Sequence, residues 1–527
     1  EITALEKGFL YRIRLKGAFL TQFVSKKVRD KAFTFIKHSI CDPLTEEFFL
    51  NEKPDRYFKN QTKVKNDLSK FKRHEIPSAN TRLGLALTAE DIKYLQNFCE
   101  VIDRPLTELE LMMFSQVNSE HCRHKIFNSV FHIDGVKKDE TLFDMIKNTY
   151  KKNPDDILVA YTDNAAVLQR FNANVYSFQG QTFGKFSENN MNCHLVFKAE
   201  THNHPTGISP YPGAATGSGG EIRDEGATGV GAKPLAGFAG FTVSSLKANS
   251  EGGRFNNRAS PLEIMIRGPL GSADFNNEFG RPVVCGYFRS FELTTKYFNW
   301  GYDKPIMLAG GIGLIHETNV RKKNLDPDDL IVILGGPGFK IGVGGGAASS
   351  MFSGVNDNEL DFKSVQRGNA EMQRRAQEVI SACANSPRQN PIKSIHDVGA
   401  GGLANAIPEL LYDSKVGGVI YFHRIPVNDS SMSPMEVWCN EAQERYIVGL
   451  KEKNLKTFSE FCEREKCPYS IVGKVIMDMS LKIDFKTNNS DINKSYADTL
   501  VMPLSFLFDH KMKLERHISR VELQQKL

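Results

Sequence analysis

The 527-residue chain lacks several features from which function is usually read first. It has no CxxC pair. Its nine cysteines are scattered and odd in number, which argues against zinc sites and a disulfide framework and fits a reducing cytoplasm. No apolar run approaches the roughly 20 residues of a membrane-spanning helix, and no signal peptide opens the sequence, so no membrane contact is expected. Excess charge is small: +5 over this length gives no nucleic-acid signal. The densest glycine stretch matches neither the P-loop nor the dinucleotide fingerprint. An initial Met is lacking too; the chain begins at Glu1, as a fragment or a processed product would. At about 100–200 residues per domain, three or four domains are expected.

What is present centres on Leu195 to Lys233, LVFKAETHNHPTGISPYPGAATGSGGEIRDEGATGVGAK. It opens as a strand whose alternation puts Lys198 and Glu200 on one face. His202, Asn203 and His204 follow, tight against Pro205, which biases His204 away from helix. In extended chain His202 and His204 would share a face, and with Glu200 they could be metal ligands or substrate contacts; a satisfied turn is the alternative. A glycine-dense loop is expected from Gly213 to Gly220, with Arg223, Asp224 and Glu225 in its wake. Such a loop lets backbone N–H groups approach an anion, while a carboxylate holds the accompanying Mg²⁺. The alternative is a plain surface loop.

Along the chain, residues 1–60 read as part of a small α+β domain, with a strand at Gly8–Leu15 and a helix at Phe23–Ile40. Residues 51–80 read as a solvated, lysine-rich linker. Thr88 caps an apolar helical stripe, and Thr107 with Glu110 forms a capping box before a second helix. That helix delivers Ser119-Glu120-His121-Cys122-Arg123-His124-Lys125. A helix at Leu142–Tyr150 and strands at Ile157–Tyr161 and Pro305–Ile315 are expected. A second domain starts near Asp326: strand Leu330–Leu334, a glycine cluster Gly342 to Gly346 running into a helix, a long helix over Gln366–Cys383, strand Ile392–Ile395, the turn HDVGAGG, helix Leu403–Leu411, and strand Tyr446–Leu450. Residues 485–496 read as a polar loop, and the tail after Phe508 as a charged helix. The alternation of strands and helices points to a mixed α/β architecture.

His121 reads as an acid–base group or charge stabiliser, with Arg123, His124 or Lys125 as anion contacts; structural histidines at a helix end are the alternative. Asp397 sits between strand and helix, where it is either a metal ligand or a helix N-cap. Glu441 and Gln443 form either a substrate clamp or an ordinary strand entry.

Together SEHCRHKIFN, the ETHNHP-to-GAKP stretch, NNEFGRP, IMLAGGIG, GVGGGAASSM, IHDVGAGGLANA and WCNEAQERY resemble the formylglycinamide ribonucleotide amidotransferase family, most closely its large bacterial type. The resemblance implies an α+β and mixed α/β fold. It divides the chain into a partial N-terminal domain (1–60), a helical linker (61–127), an aminoimidazole-ribonucleotide-synthetase-like A lobe (128–318), a B lobe (319–484) and a connecting segment (485–527). A second synthetase-like repeat, in the same or another chain, and a glutaminase domain supplying ammonia would complete the enzyme.

The implied reaction is ATP-dependent amidation of formylglycinamide ribonucleotide through an iminophosphate, in purine biosynthesis. By the same resemblance His121 and His202 are catalytic. Thr201, His202, Asn203, His204, Arg223, Gln366, Glu441, Ala442 and Gln443 bind substrate. His124, Lys198, Gly213, Ala214, Ala215, Thr216, Gly217, Ser218, Gly219, Gly220, Glu221, Ile222, Arg223, Asp224, Cys285, Gly286 and Tyr287 bind ATP, the nucleotide around Gly213–Asp224 and Cys285–Tyr287 being either the reacting one or an auxiliary, structural one, and Glu200, Asp224 and Asp397 hold Mg²⁺. The rival expectation is a non-catalytic nucleotide-binding scaffold half that completes a partner chain.

Overall fold

A computed structural model describes residues 68–169, 172–179, 185–247, 258–296, 298–345, 364–386, 390–485, 500–510 and 514–520, with Leu10, Phe33 and Phe49 as single positions. The chain divides into one unit of residues 1–65 with 429–431 and a second unit of all the rest. The elements expected in residues 1–60, the helix after Gly346 and most of the 485–496 loop lie outside the described residues. The second unit carries both large sheets and the helices packed on them.

Its linker region is helical. Thr88 and Thr107 each accept a hydrogen bond from the backbone N–H three residues on, and Asp91 and Glu110 bond back to the cap. These boxes satisfy donors that a helix start leaves unpaired. The helices run over Ala89–Ile102 and Glu108–Val117, the second buried from Leu109 to Val117. One expectation is corrected here. Ile76–Leu83 is a helix with Ile76 and Ala79 buried, so folded structure begins inside the stretch read as solvated linker.

The first large sheet has the spatial order Val283–Ser290, Lys233–Val243, Ile306–His316, Lys185–Thr201, Ala166–Leu168, Ile157–Val159, and Asn172–Gln179 pairs with the outer half of the long strand Lys185–Thr201. Two helices, Pro210–Ala227 and Pro261–Phe279, pack against it and each other. The second sheet runs Ile392–Asp397, Arg445–Leu450, Leu330–Gly335, Tyr469–Ile476, Gly417–Tyr421, Ser480–Asp484, Leu500–Pro503. Its central strand Leu330–Gly335 is buried throughout. Ile331 and Ile333 join the linker helices in one core, while Leu330, Val332 and Leu334 face the helices Ala370–Ala384 and Leu455–Glu465 in another. A strand covered on both faces reads as an unbroken apolar run, as this one does.

Apart from the helix after Gly346, the strands and helices expected from Leu142 to Leu450 are present among the described residues, with ends shifted by a few residues. The helix read from Gln366 starts at Ala370, where Asn369 caps it by accepting from the Met372 N–H at 2.9 Å. Among its described residues the tail is not a charged helix. Glu515–Ile518 is a strand, paired parallel to Val130–Ile133, because the segment has no apolar stripe to bury but can complete a backbone ladder.

Candidate active site

The glycine-dense stretch is no loop: it is the body of the Pro210–Ala227 helix. Its glycines serve close packing instead. A Cβ at Gly213 would collide with the Pro205 and Thr206 backbone, at Gly217 with His202, at Gly219 with the Phe275 ring, and at Gly220 with the Glu200 carboxylate. Positions 213, 217, 220 and 224 recur at helical spacing, so one glycine-lined face lies on the end of the Lys185–Thr201 strand and carries Asp224 there. The N–H groups inside this helix bond to its own carbonyls, which removes the argument for a backbone phosphate cradle along Gly213–Gly220.

The histidine pair is also rearranged. A helix begins at Asn203 and takes in His204 and Pro205, since a proline in the first turn removes an N–H that would go unpaired anyway. His204 turns inward and is buried, so it does not share a face with His202. Asn203 fixes the turn: its Oδ1 accepts from the Met307 N–H at 3.0 Å. His202 remains at the strand end. Its Nδ1 lies 2.6 Å from the Gly213 carbonyl, which can only accept, so Nδ1 carries the proton and Nε2 is the acceptor. Burial pushes its pKa down to about 4, helped by the His121 and Arg223 charges.

The centre of the site is a charged cluster. Lys198 and Glu200 share a face as expected, 3.4 Å apart, and the Lys198 ammonium is 2.5 Å from Asp224. Asn164 bridges the cluster: its amide donates to Asp224 and to Asp397, each at 2.9 Å, and its side-chain oxygen accepts from Lys322 at 2.9 Å. Burial opposes ionisation of Asp224, but the Lys198 charge overrides it and holds the pKa down at about 2. Burial and the neighbouring Asp224 charge raise Asp397 to about 6, and burial raises Glu200 to about 8. The Lys198 pKa is raised, although burial alone would lower it, because Asp224 and Glu200 surround it.

Three acidic groups thus gather around one ammonium. Their oxygens are hard donors suited to a hard divalent cation, which would also favour the ionised forms of Glu200 and Asp397. Lys198 stands between Glu200 and Asp224, where such a cation would sit.

The rim is built by other elements. Ser119 caps the short helix Glu120–Arg123 that presents His121. His121 keeps an exposed face, while the groups packed around it and the His124 and Lys198 charges lower its pKa from the usual imidazole value. His124 ends that helix in a left-handed conformation (φ +49°) and stacks on Phe143. Arg223 reaches across to the second sheet, bonding Gln443 Oε1 and lying 3.5 Å from Asp397. Glu441 accepts from Gln366 Nε2 at 2.5 Å and from the Gly401 N–H at 2.7 Å, which ties both distant segments to the NEAQE turn. Ala442 is buried beside them, and Thr201 ends its strand with an exposed side chain.

The segment Cys285-Gly286-Tyr287 lies apart. It is on the sheet's edge strand, three strands from Lys198, or about 14 Å at ordinary strand spacing. Glu221 faces away from the cluster and is paired with Arg281, as is Glu225. Sequence reasoning missed Asn164, Asp163 and Lys322. Asp163 bonds Lys322 at 2.7 Å and accepts from the Gly229 N–H at 2.9 Å. The signal for the first two was a polar Asp-Asn pair in the turn between two short apolar strands, Ile157–Val159 and Ala166–Leu168; Lys322 had none.

Two segments match family models: residues 326–486 the AIR synthase related protein C-terminal domain, and residues 76–125 the formylglycinamide ribonucleotide amidotransferase linker domain. Among solved structures, Thermotoga maritima PurL complexed with FGAR is similar at TM-score 0.57 and 23% identity, covering 83% of this chain and 58% of that one. The same organism's PurL complexed with ATP gives TM-score 0.52 and 21% identity, covering 83% and 57%. PurLQS from Thermotoga maritima gives 0.51 and 23%, covering 79% and 54%. The fold is therefore that of PurL, and this chain spans less than two thirds of the length of these relatives.

Proposed function

We propose, from the family that the linker match and the shared fold support, phosphoribosylformylglycinamidine synthase, that the chain contributes an ATP-dependent amidation site. The substrate is formylglycinamide ribonucleotide, the product its amidine, and the setting purine biosynthesis in the cytoplasm. The observation that carries this reading is the meeting of Lys198, Asp224, Asp397 and Arg223 through Asn164, since these residues come from distant parts of the chain.

Each group has a physical task. Asp224, Asp397 and Glu200 would hold Mg²⁺, whose charge offsets that of a triphosphate. Lys198, freed from Asp224 as the cation arrives, would take a phosphate oxygen, and His124 would border the nucleotide. His121, with its pKa lowered, is suited to taking a proton as charge develops on the amide. His202 offers a fixed acceptor at Nε2. Thr201, Asn203, Arg223, Gln366, Glu441, Ala442 and Gln443 would form the ribonucleotide side. The expected division into 1–60, 61–127, 128–318, 319–484 and 485–527 belongs to this proposal, as does ammonia delivered from a glutaminase partner.

A second synthetase-like repeat is a further part of the reading. The edge strand Val283–Ser290 is exposed along its length, with Val284 at 64% and Phe288 at 65% exposure, and Leu235 and Phe197 are also open. An unpaired, apolar sheet edge is a surface that asks for cover. This favours a half-site completed by a partner, which also keeps the scaffold reading in play.

The test is phosphate release from ATP with formylglycinamide ribonucleotide and ammonium, using this chain alone and then with a second-repeat chain added. Activity that appears on mixing and is lost in Lys198→Ala supports the reading. Full activity of Lys198→Ala overturns the assigned site. ATP binding without turnover in every mixture favours the scaffold. No helix among the described residues is long and apolar enough to cross a membrane.

A further inference from the structure

We propose that His132, Glu515 and His517 form a binding site for a borderline divalent ion of the Zn²⁺ class, outside the amidation site. The three sit on a parallel strand pair. Alternation puts Glu515 and His517 on one face of Glu515–Ile518, and the register sets His517 directly beside His132 on Val130–Ile133. The ligand atoms lie within 4.8 Å of one another, and among the described residues this is the one group of three or more His, Cys, Asp or Glu that meets that limit.

The Glu515 carboxylate oxygen is 3.8 Å from His132 Nε2 and 3.9 Å from His517 Nε2, and the two rings stack at 4.5 Å. Donors around one tetrahedral ion at about 2.1 Å are about 3.4 Å apart, so closure needs only small side-chain shifts.

A second observation points to a ligand. His132 Nε2 is buried and has no hydrogen-bond partner. A buried ring nitrogen left unpaired is costly, and a metal ion would satisfy it. Two imidazoles with one carboxylate select a borderline ion over Mg²⁺, and three protein ligands leave a position open for water. Lys137 is the cross-strand neighbour of His132 on the other side. The ion would pin Glu515–Ile518 to Val130–Ile133. That strand pair is only four residues long, so metal binding and ordering of this segment would be coupled.

The experiment titrates the full chain, first stripped with a chelator, with Co²⁺ followed by visible absorption and with Zn²⁺ by calorimetry. One equivalent should bind without a sulfur-to-metal band. Outer-shell changes alone weaken metal sites about 10–100-fold, so losing a ligand in His132→Gln or His517→Gln should weaken binding at least tenfold. Cys285→Ser should leave it unchanged.

His517 is 70% exposed, so its replacement tests the site without threatening the fold. Absence of one-equivalent binding, or undiminished binding by His517→Gln, overturns the proposal. Phosphate release with Mg²⁺ and ATP is read in parallel on His517→Gln and should be unaffected.

Discussion

Replacing Asn164 with aspartate should make the protein's stability depend on a divalent cation. In the native chain the amide donates two hydrogen bonds, to Asp224 and Asp397, both at 2.9 Å. Hydrogen bonds to charged groups contribute about 1.5–3 kcal/mol each, so their loss costs about 3–6 kcal/mol. The new carboxylate keeps Lys322, already 2.9 Å from the side-chain oxygen, and that ion pair returns about 1 kcal/mol. The net destabilisation without metal is about 2–5 kcal/mol, before counting repulsion among three carboxylates.

Millimolar Mg²⁺ should reverse much of it, because the new carboxylate adds a further anionic ligand to Glu200, Asp224 and Asp397. The assay is urea unfolding followed by tryptophan fluorescence, with Trp438 fully buried in the core next to the second sheet. Asn164→Leu is the control: it loses the same bonds but adds no charge, so Mg²⁺ should not rescue it. Unfolding midpoints for Asn164→Asp that equal the native protein's in chelator, or that shift with Mg²⁺ no more than the leucine variant's, would refute the bridging role.

Other outcomes are expected. On the proposed function, His121→Ala mixed with a second-repeat chain should lower turnover with ammonium by about 10²–10⁴-fold without changing the unfolding midpoint, since loss of one acid–base group has that size; unchanged turnover removes His121 from the chemistry. Gly219→Val should destabilise by about 1–3 kcal/mol, because a Cβ there would meet the Phe275 ring at 2.7 Å before the valine methyls are counted; a neutral result in urea unfolding would show that the two helices can separate freely. His202 is held neutral with a pKa of about 4, below its usual 6.5, so the unfolded chain takes up its proton first. Its contribution is full above about pH 6.5 and is lost as pH falls toward 4, a total of roughly 3 kcal/mol. His202→Asn should flatten that part of the stability profile, and parallel profiles for the two proteins would sink the argument.

Local patterns were legible where local chemistry decides. Thr88, Thr107 and Glu110 announced their helices, because a capping box is a contact between residues three apart. Leu330–Leu334 announced a buried strand. The strand face of Lys198 and Glu200 followed from alternation alone. The errors came where packing overrides local preference. Five glycines between 213 and 226 lower helix propensity, yet each one is where a neighbour touches the helix, and tertiary contact outweighs the cost. His204 and Pro205 read as extended, but a helix start tolerates proline. Asn164 was invisible for another reason: its role depends on Asp224 and Asp397, 60 and 233 residues away, and no short motif records such a meeting.

The bond from Arg223 to Gln443 has a mechanical consequence. Arg223 belongs to a helix that leans on the first sheet, and Gln443 to the turn that feeds a strand of the second. Asn164 makes a second stitch across the same seam. Any rocking of one sheet against the other is therefore felt at the acidic cluster, as it is at the Gln373 and Gln377 bonds to Gly219 and Ala232. A ligand that draws Asp224 and Asp397 together would, by the same linkage, stiffen the joint between the two halves. Occupancy of the cluster and the angle between the sheets then become one variable, which a substitution at the buried Arg281 anchor of that helix could tune without touching the ligand.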